Sequence, residues 1–378
     1  MQKPEQVTRH NSNNQLLYFT STSLLKDNMG LVFISDRNGF PNLFYKNLQS
    51  GEERQLTHQT EGYLRSYVYF DGLSYRGFGK ASVSLHAESG TAYYLQGQAI
   101  MCVQTNGESR QIATLPDGQL TGFTHISADN RYLCVPTVDE DAFHVTGPLK
   151  PGIDDRIHEK NLSSYLRVYD VQNGEQVLCE QVPRCWITHV QFCPTDSSKI
   201  LYNHEWCNNS GVRRMWLFDG TKHIQLRTLD SKRLPGDWAC HEMWEKDGKH
   251  VIYHGGHLNG PCFIGRLNIE DLSYHEIDIP TEYKPYGHFT VMDSGTLVSD
   301  GYYGEKPSDF LKNGQFISMQ TIDWEKESIV WKPLCRHESN WDCQCSHPHP
   351  IFDHGDAYIY FTSNPNGKRQ IYRVKTGL

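Results

Sequence analysis

Apolar and polar positions along the chain alternate in short runs, about 4 to 8 residues long and rich in Tyr, Phe, Val and Ile, which is the period of half-buried strands. Helical spacing is hard to find. The first clear unit is LVFISDRNGFPNLFYKNLQSGEERQLT at 31–57. It reads strand, turn from Asp36 to Gly39, strand, turn at Ser50-Gly51, strand. Each turn offers the Gly, Asn or Asp that tight hairpins need at positive φ. The same pattern returns at 92–115, 125–178, 189–226, 241–277, 288–331 and 347–375. Seven units, with successive starts 33 to 64 residues apart, predict an all-β, seven-bladed β-propeller with four-stranded antiparallel blades. The whole of 1–378 then forms a single domain, because no Pro/Ser-rich hinge, charge block or low-complexity tract interrupts it. A pair of β-sandwiches is the competing architecture. The segment QLLYFTSTS at 15–23 either joins the first blade or closes the ring beside the last.

Charge narrows the choice of partners. Formal net charge is −8, and the 36 Lys and Arg are scattered without a basic cluster. That argues against nucleic acid, which needs one strongly positive face. A small anionic substrate needs only a few well-placed cations and stays in play. The start, MQKPEQVTRHNSNNQ, has no apolar core of a signal peptide, and no run reaches transmembrane length. These features lead us to expect a cytoplasmic protein without a membrane partner. The 11 cysteines are odd in number and irregularly spaced, so we read them as reduced thiols. Cys343-Gln344-Cys345 is the closest pair, and C-x-C alone is weak evidence for thiolate-bound zinc. Oligomeric state is not legible in the sequence.

Aligning the units on their first strand brings out the histidines. His125…Asp129, His189…Asp196, His241…Asp247-Gly248 and His288…Asp293 each open with His and reach Asp at a turn, and His347-Pro348-His349 reaches Asp353. Equivalent positions on innermost strands ring one end of a propeller's channel. A lone histidine at a strand start is usually structural, and we read His125 and His189 so. The segment Gln344-Cys345-Ser346-His347-Pro348-His349 is denser. In an extended run, residues two apart face the same side, so His347 and His349 can converge, with Gln344 adding an amide oxygen. His288 from the preceding blade completes three neutral imidazoles and one oxygen, a set suited to Mn²⁺, Fe²⁺, Ni²⁺ or Zn²⁺. Positions left open would admit a substrate carboxylate.

These residues resemble a known family. QCSHPHP followed by IFDHGDAYIYFTS is similar to the last-blade signature of oligogalacturonate lyases. His241-Glu242-Met243-Trp244 followed by Asp247-Gly248 resembles the family's catalytic-histidine strand. Gly287-His288 with Ser294-Gly295-Thr296-Leu297-Val298 and Asp300-Gly301 resembles its next blade. Arg214-Met215-Trp216-Leu217, preceded by His204-Glu205, resembles its arginine strand. The likeness is specific from about residue 200 onward; 60–125 matches poorly, and Cys240, Cys343 and Cys345 depart from the usual pattern. The resemblance implies a cytoplasmic propeller that cleaves short oligogalacturonates, digalacturonate above all, by β-elimination to 4,5-unsaturated uronates. It implies metal ligands at His288, Gln344, His347 and His349, with Mn²⁺ the first choice, a Brønsted base at His241 and a substrate-binding arginine at Arg214.

The chemistry is coherent with those residue types. The C5 proton beside an ionised carboxylate is only weakly acidic, a bound cation would make it more so, and a neutral imidazole is a competent base. Arg214 could grip a carboxylate bidentately. A water or a second histidine such as His189 would serve as acid for the leaving oxygen. His204 and Glu205 are expected to satisfy each other, while Trp238 and Tyr302 are candidates for stacking on sugar faces. Two other readings stand beside this one. A related propeller lyase on another uronate would share metal and base and differ in substrate trials. A non-catalytic TolB or WD40-like binding propeller would bind no metal and make no unsaturated product.

Overall fold

The structure, a computed structural model, describes residues 1–60, 83–143, 153–205, 213–227, 238–257, 260–280, 287–292, 295–301, 315–340 and 346–378. Its strands form seven antiparallel sheets, each built on a run of four strands, and the expected seven-bladed β-propeller is what they make. The chain divides into two compact units. One comprises Met1–Phe19, Cys207–Met215 and Gln225–Leu378; the other comprises Thr20–Trp206 and Trp216–Ile224.

The first unit carries three of the sheets. One runs Trp238–Trp244, His250–Gly256, Cys262–Asn268, Tyr274–Asp278. The next runs Phe289–Val291, Thr296–Ser299, Phe316–Asp323, Ser328–Arg336. The last, Ile351–Phe352, Tyr358–Ser363 and Gln370–Lys375, is completed at its outer edge by the N-terminal strand Glu5–Gln6. Of the two placements left open for 15–23, closing the ring beside the last blade is thus taken instead by residues ahead of that segment. Glu5 pairs with Arg373 across the ladder and holds its guanidinium at 2.9 Å, and the Thr8 hydroxyl donates to Gln370 at 2.8 Å. The first unit also carries the short strand Asn14–Gln15.

Middle strands are on the whole more buried than outer ones, because middle strands are covered on both faces and outer ones meet water. Gly30–Ser35 is wholly buried, whereas Gln176–Pro183 is mostly exposed. Blades adhere through their faces. Ile252, Ile264 and Ile277 pack on Phe289, Leu297 and Ile322, and Val298, Ile317 and Met319 pack on Ile359, Phe361 and Val374. Each such side chain contributes about 1.5–3 kcal/mol. In the second unit a short helix, Ile153–Glu159, precedes the strand Ser163–Asp170, and its Ile157 packs on Val138 and Trp186. Among the described residues no helix is long and apolar enough to cross a membrane.

The two histidines read as structural behave so. His125 accepts the amide hydrogen of Phe192 at 3.2 Å, and His189 stacks on Phe123 with its Nδ1 2.9 Å from the Thr188 hydroxyl. Glu205 accepts from Thr188 at 2.6 Å and Asn203 at 2.8 Å, and His204 stacks on Trp216 instead of meeting it. Desolvation pushes both His125 and His204 down to about 4 from 6.5. Both rings are neutral in the fold, while the unfolded chain takes up protons at the ordinary value. Stability is thus full above about 6.5 and falls as pH drops towards about 4. Urea midpoints measured between pH 7 and 4.5 should decline, and His125→Gln should make the decline shallower.

Candidate metal centre and adjoining histidine cluster

Three of the expected ligands meet in the first unit. Ligand nitrogens of His288, His347 and His349 all lie within 4.8 Å of one another. Two nitrogens bound to one ion at about 2.1 Å are at most about 4.2 Å apart, so the cluster is close to ligating geometry as it stands. Three imidazoles form a borderline donor set that fits a divalent transition ion. His288 and His349 are buried and His347 is half-buried. Gln344 and Tyr302 lie outside the described residues.

The histidines converge by means other than strand alternation. His349 adopts φ +47 and the run from Pro348 to Pro350 belongs to no strand, so the extended-segment argument for His347 and His349 does not hold. The loop is instead pinned from outside. Thr362 donates its amide hydrogen to Pro348 at 2.8 Å, the Thr290 hydroxyl donates to Pro350 at 3.1 Å, and the Ser339 hydroxyl donates to Ser346.

Asp300 organises this centre, a role the sequence reading did not assign. Its side chain is fully buried. Oδ1 accepts the His288 amide hydrogen at 2.8 Å, and Oδ2 accepts that of His349 at 3.1 Å while lying 3.2 Å from His288 Nδ1. An ionised carboxylate only accepts, so His288 carries its proton on Nδ1 and presents Nε2 as ligand. Burial raises the Asp300 carboxyl to about 6, opposed by the nearby His347 and by the backbone amide of His349. Gly287 makes the approach possible. It sits at φ +131, and a Cβ there would lie 1.9 Å from Asp300 Oδ1. The sequence signal was present in Gly287-His288 and Asp300-Gly301, but as a motif, not as a contact.

Aromatic rings from the N-terminal segment back the histidines. Phe19 packs against His288, His349 and His241 at centroid distances of 5.1, 5.8 and 5.8 Å, and Tyr18 lies 5.0 Å from His349. This function of Tyr18 and Phe19 was invisible as one-dimensional pattern.

His241 adjoins the centre, its ring centroid 4.6 Å from that of His288. Its strand is bulged between Cys240 and Met243, and His241 sits at φ +53. Bulges re-aim side chains beside functional sites, and a left-handed backbone on a non-glycine residue costs about 1–2 kcal/mol. His241 Nδ1 lies 2.8 Å from Nε2 of buried His254. Burial lowers the His254 pKa, so it stays neutral and can accept the Nδ1 proton of His241. For His241 itself burial is the largest effect and lowers the pKa, yet the Cys240 sulfur and Glu242 more than offset it and the net shift is upward.

Arg214 is also in this unit, but buried. Its Nε donates to Glu242 at 2.9 Å, with side chains 2% and 1% exposed. Burial raises the Glu242 carboxyl, opposed by Arg214. Trp238 packs on Gly256 within its own blade, where a Cβ would lie 2.7 Å from the indole nitrogen. Asp247 serves its turn, accepting the amide hydrogens of Lys249 at 2.8 Å and His250 at 3.0 Å.

The class is thus a seven-bladed β-propeller with a histidine centre fit for a divalent ion. Comparison with known proteins gives the particular family: the chain belongs to the oligogalacturonate lyases, whose family model matches residues 4–377. An oligogalacturonate lyase of Dickeya dadantii (strain 3937) is 28% identical over 207 residues, which is 50% of this chain and 50% of that protein. An oligogalacturonide lyase of Pectobacterium atrosepticum is 26% identical over the same length and shares. The chain spans about half the length of these curated relatives. Two solved structures share the fold across the chain at 22% identity, covering 98% of it and 92% of theirs. They are the oligogalacturonate lyase of Vibrio parahaemolyticus, at TM-score 0.79, and an oligogalacturonate lyase in complex with manganese, at 0.78.

Asp300→Ala should lower affinity for added Mn²⁺ by about 10–100-fold while the fold persists, because it frees both His288 and His349. Calorimetric titration of chelator-treated protein checks this.

Proposed function

We propose that the chain is a metal-dependent lyase cleaving short oligogalacturonides, digalacturonate in particular, by β-elimination to 4,5-unsaturated uronates. The observation that carries this is the His288, His347, His349 cluster on Asp300 with His241 beside it. Support comes from the family match and from the related lyase solved with manganese. Among candidate ions Mn²⁺ comes first, with Gln344 the fourth ligand. When bound, the cation supplies Lewis-acid withdrawal of charge from the substrate carboxylate.

The chain's own residues would do the rest. His241 donates its Nδ1 proton to His254, and Nε2 then holds the lone pair that takes the C5 proton. The C–H electrons form the C4–C5 double bond, the C4–O bond breaks, and the leaving oxygen takes a proton from water. Arg214 binds a substrate carboxylate through its terminal nitrogens, with Glu242 holding the Nε edge. We further propose that the chain acts in the cytoplasm as one propeller domain, on a small anionic oligosaccharide and without nucleic acid or membrane.

Chelator-treated protein given Mn²⁺ and digalacturonate should generate the ultraviolet absorbance of unsaturated uronate, and EDTA should abolish it. A panel of other uronate dimers tests the substrate; no product from digalacturonate with turnover of another dimer would transfer the assignment. His241→Ala should lower kcat by about 10²–10⁴-fold with metal retained, and His347→Ala should lose the metal. Arg214→Ala leaves Glu242 buried without its cation at a cost of about 3–5 kcal/mol. Arg214→Lys is the cleaner variant and should raise KM about ten-fold by losing the bidentate grip.

A further inference from the structure

Beside the three-histidine centre lies a second donor group of different chemistry. The Cys240 sulfur and one ring nitrogen each of His241 and His254 lie within 4.8 Å of one another. Cys240 and His254 face each other across the ladder between Trp238–Trp244 and His250–Gly256. The sulfur hydrogen-bonds both rings, and the rings stack at 4.9 Å. Cys240 and His241 are half-buried, so small solutes can reach them. The backbone holding the group is fixed by the bulge at His241 and by Gly255, where a Cβ would lie 2.1 Å from the Trp238 carbonyl.

We propose that Cys240, His241 and His254 form a separate thiophilic metal site that takes up Zn²⁺ and thereby silences His241 as a base. This rests on the reading of His241 as the proton-abstracting residue. A thiolate and two imidazoles form a soft-to-borderline set that selects Zn²⁺ over Mn²⁺, the weakest binder of its series. Zinc bonds of about 2.3 Å to sulfur and about 2.0–2.1 Å to nitrogen leave tetrahedral donors about 3.3–3.6 Å apart. The two imidazole nitrogens, now 2.8 Å apart, open by well under 1 Å to meet that, and water fills the fourth position. Binding expels the thiol proton. A neutral imidazole has one lone pair. Once a metal takes it, the ring proton sits on the other nitrogen, and His241 can donate but not accept. Inhibition therefore follows from tautomer chemistry and needs no displacement of the ion at the neighbouring centre.

Chelator-treated protein titrated with Co²⁺ should bind two equivalents and show a near-ultraviolet thiolate-to-cobalt charge-transfer band. Cys240→Ser and Cys240→Ala should bind one equivalent and lose the band, whereas His347→Ala should bind one and keep it. Because Cys343 and Cys345 could supply a thiolate at the other centre, persistence of the band in both Cys240 variants overturns the site, as does a single equivalent in the wild type whose band disappears with His347→Ala. With Mn²⁺-loaded protein and digalacturonate, Zn²⁺ should slow the wild type by about ten-fold or more and Cys240→Ser by less than about two-fold; equal inhibition of the two overturns the regulatory role. Absence of lyase activity would sink the base assignment while the cobalt measurements still decide whether the site exists.

Discussion

One buried carboxylate sets the geometry on which the rest of the centre depends. Asp300 binds the backbone of His288 and of His349 and reaches the His288 ring, so one side chain joins two blades and fixes a tautomer. A charge in such surroundings is costly unless its lone pairs are occupied. Here two amides and a ring occupy them, and a cation bound by the histidines would supply the balancing charge. Gly287 belongs to the same device, since any side chain there would collide with the carboxylate.

Rigid sheets and local strain divide the labour around that contact. Blade faces packed with Ile, Leu and Phe give a stiff frame. Against it, His241 and His349 are held at positive φ, conformations non-glycine residues keep only where surroundings impose them. The N-terminal chain ties these levels together. Its first strand completes the last blade, the Leu16 amide then donates to Thr362 at 3.1 Å, and Tyr18 and Phe19 follow directly against the histidines. Closing the last blade and packing the centre are thus one continuous stretch of chain.

The two histidine groups differ in what they would select. The centre on Asp300 offers imidazole alone among the described residues, while its neighbour adds a sulfur. His241 sits between them, 4.6 Å by ring centroid from His288 and 4.9 Å from His254. A base so placed feels both: its proton is directed by His254, and its lone pair is exposed to whatever the sulfur attracts. The arginine also departs from a simple surface role, since Glu242 fixes it in the interior through an ion pair that must form for either charge to be tolerated.

Repetition and residue type carried much of this protein in one dimension. Alternation with turn glycines gave seven blades, because strand period and hairpin chemistry are local properties. The motifs at His241, Gly287-His288 and His347-Pro348-His349 marked residues that do come together. What the chain could not reveal by itself were contacts between residues distant in sequence: closure by Glu5–Gln6, Asp300 beneath His288 and His349, Phe19 against three histidines, His254 behind His241, and Arg214 enclosed by Glu242. Nor could it foresee that His349 converges through a left-handed loop and not along a strand. Local pattern determines where strands and turns fall; which side chains share a buried space is decided only when blades pack, because burial and hydrogen-bond partners are properties of the assembled fold.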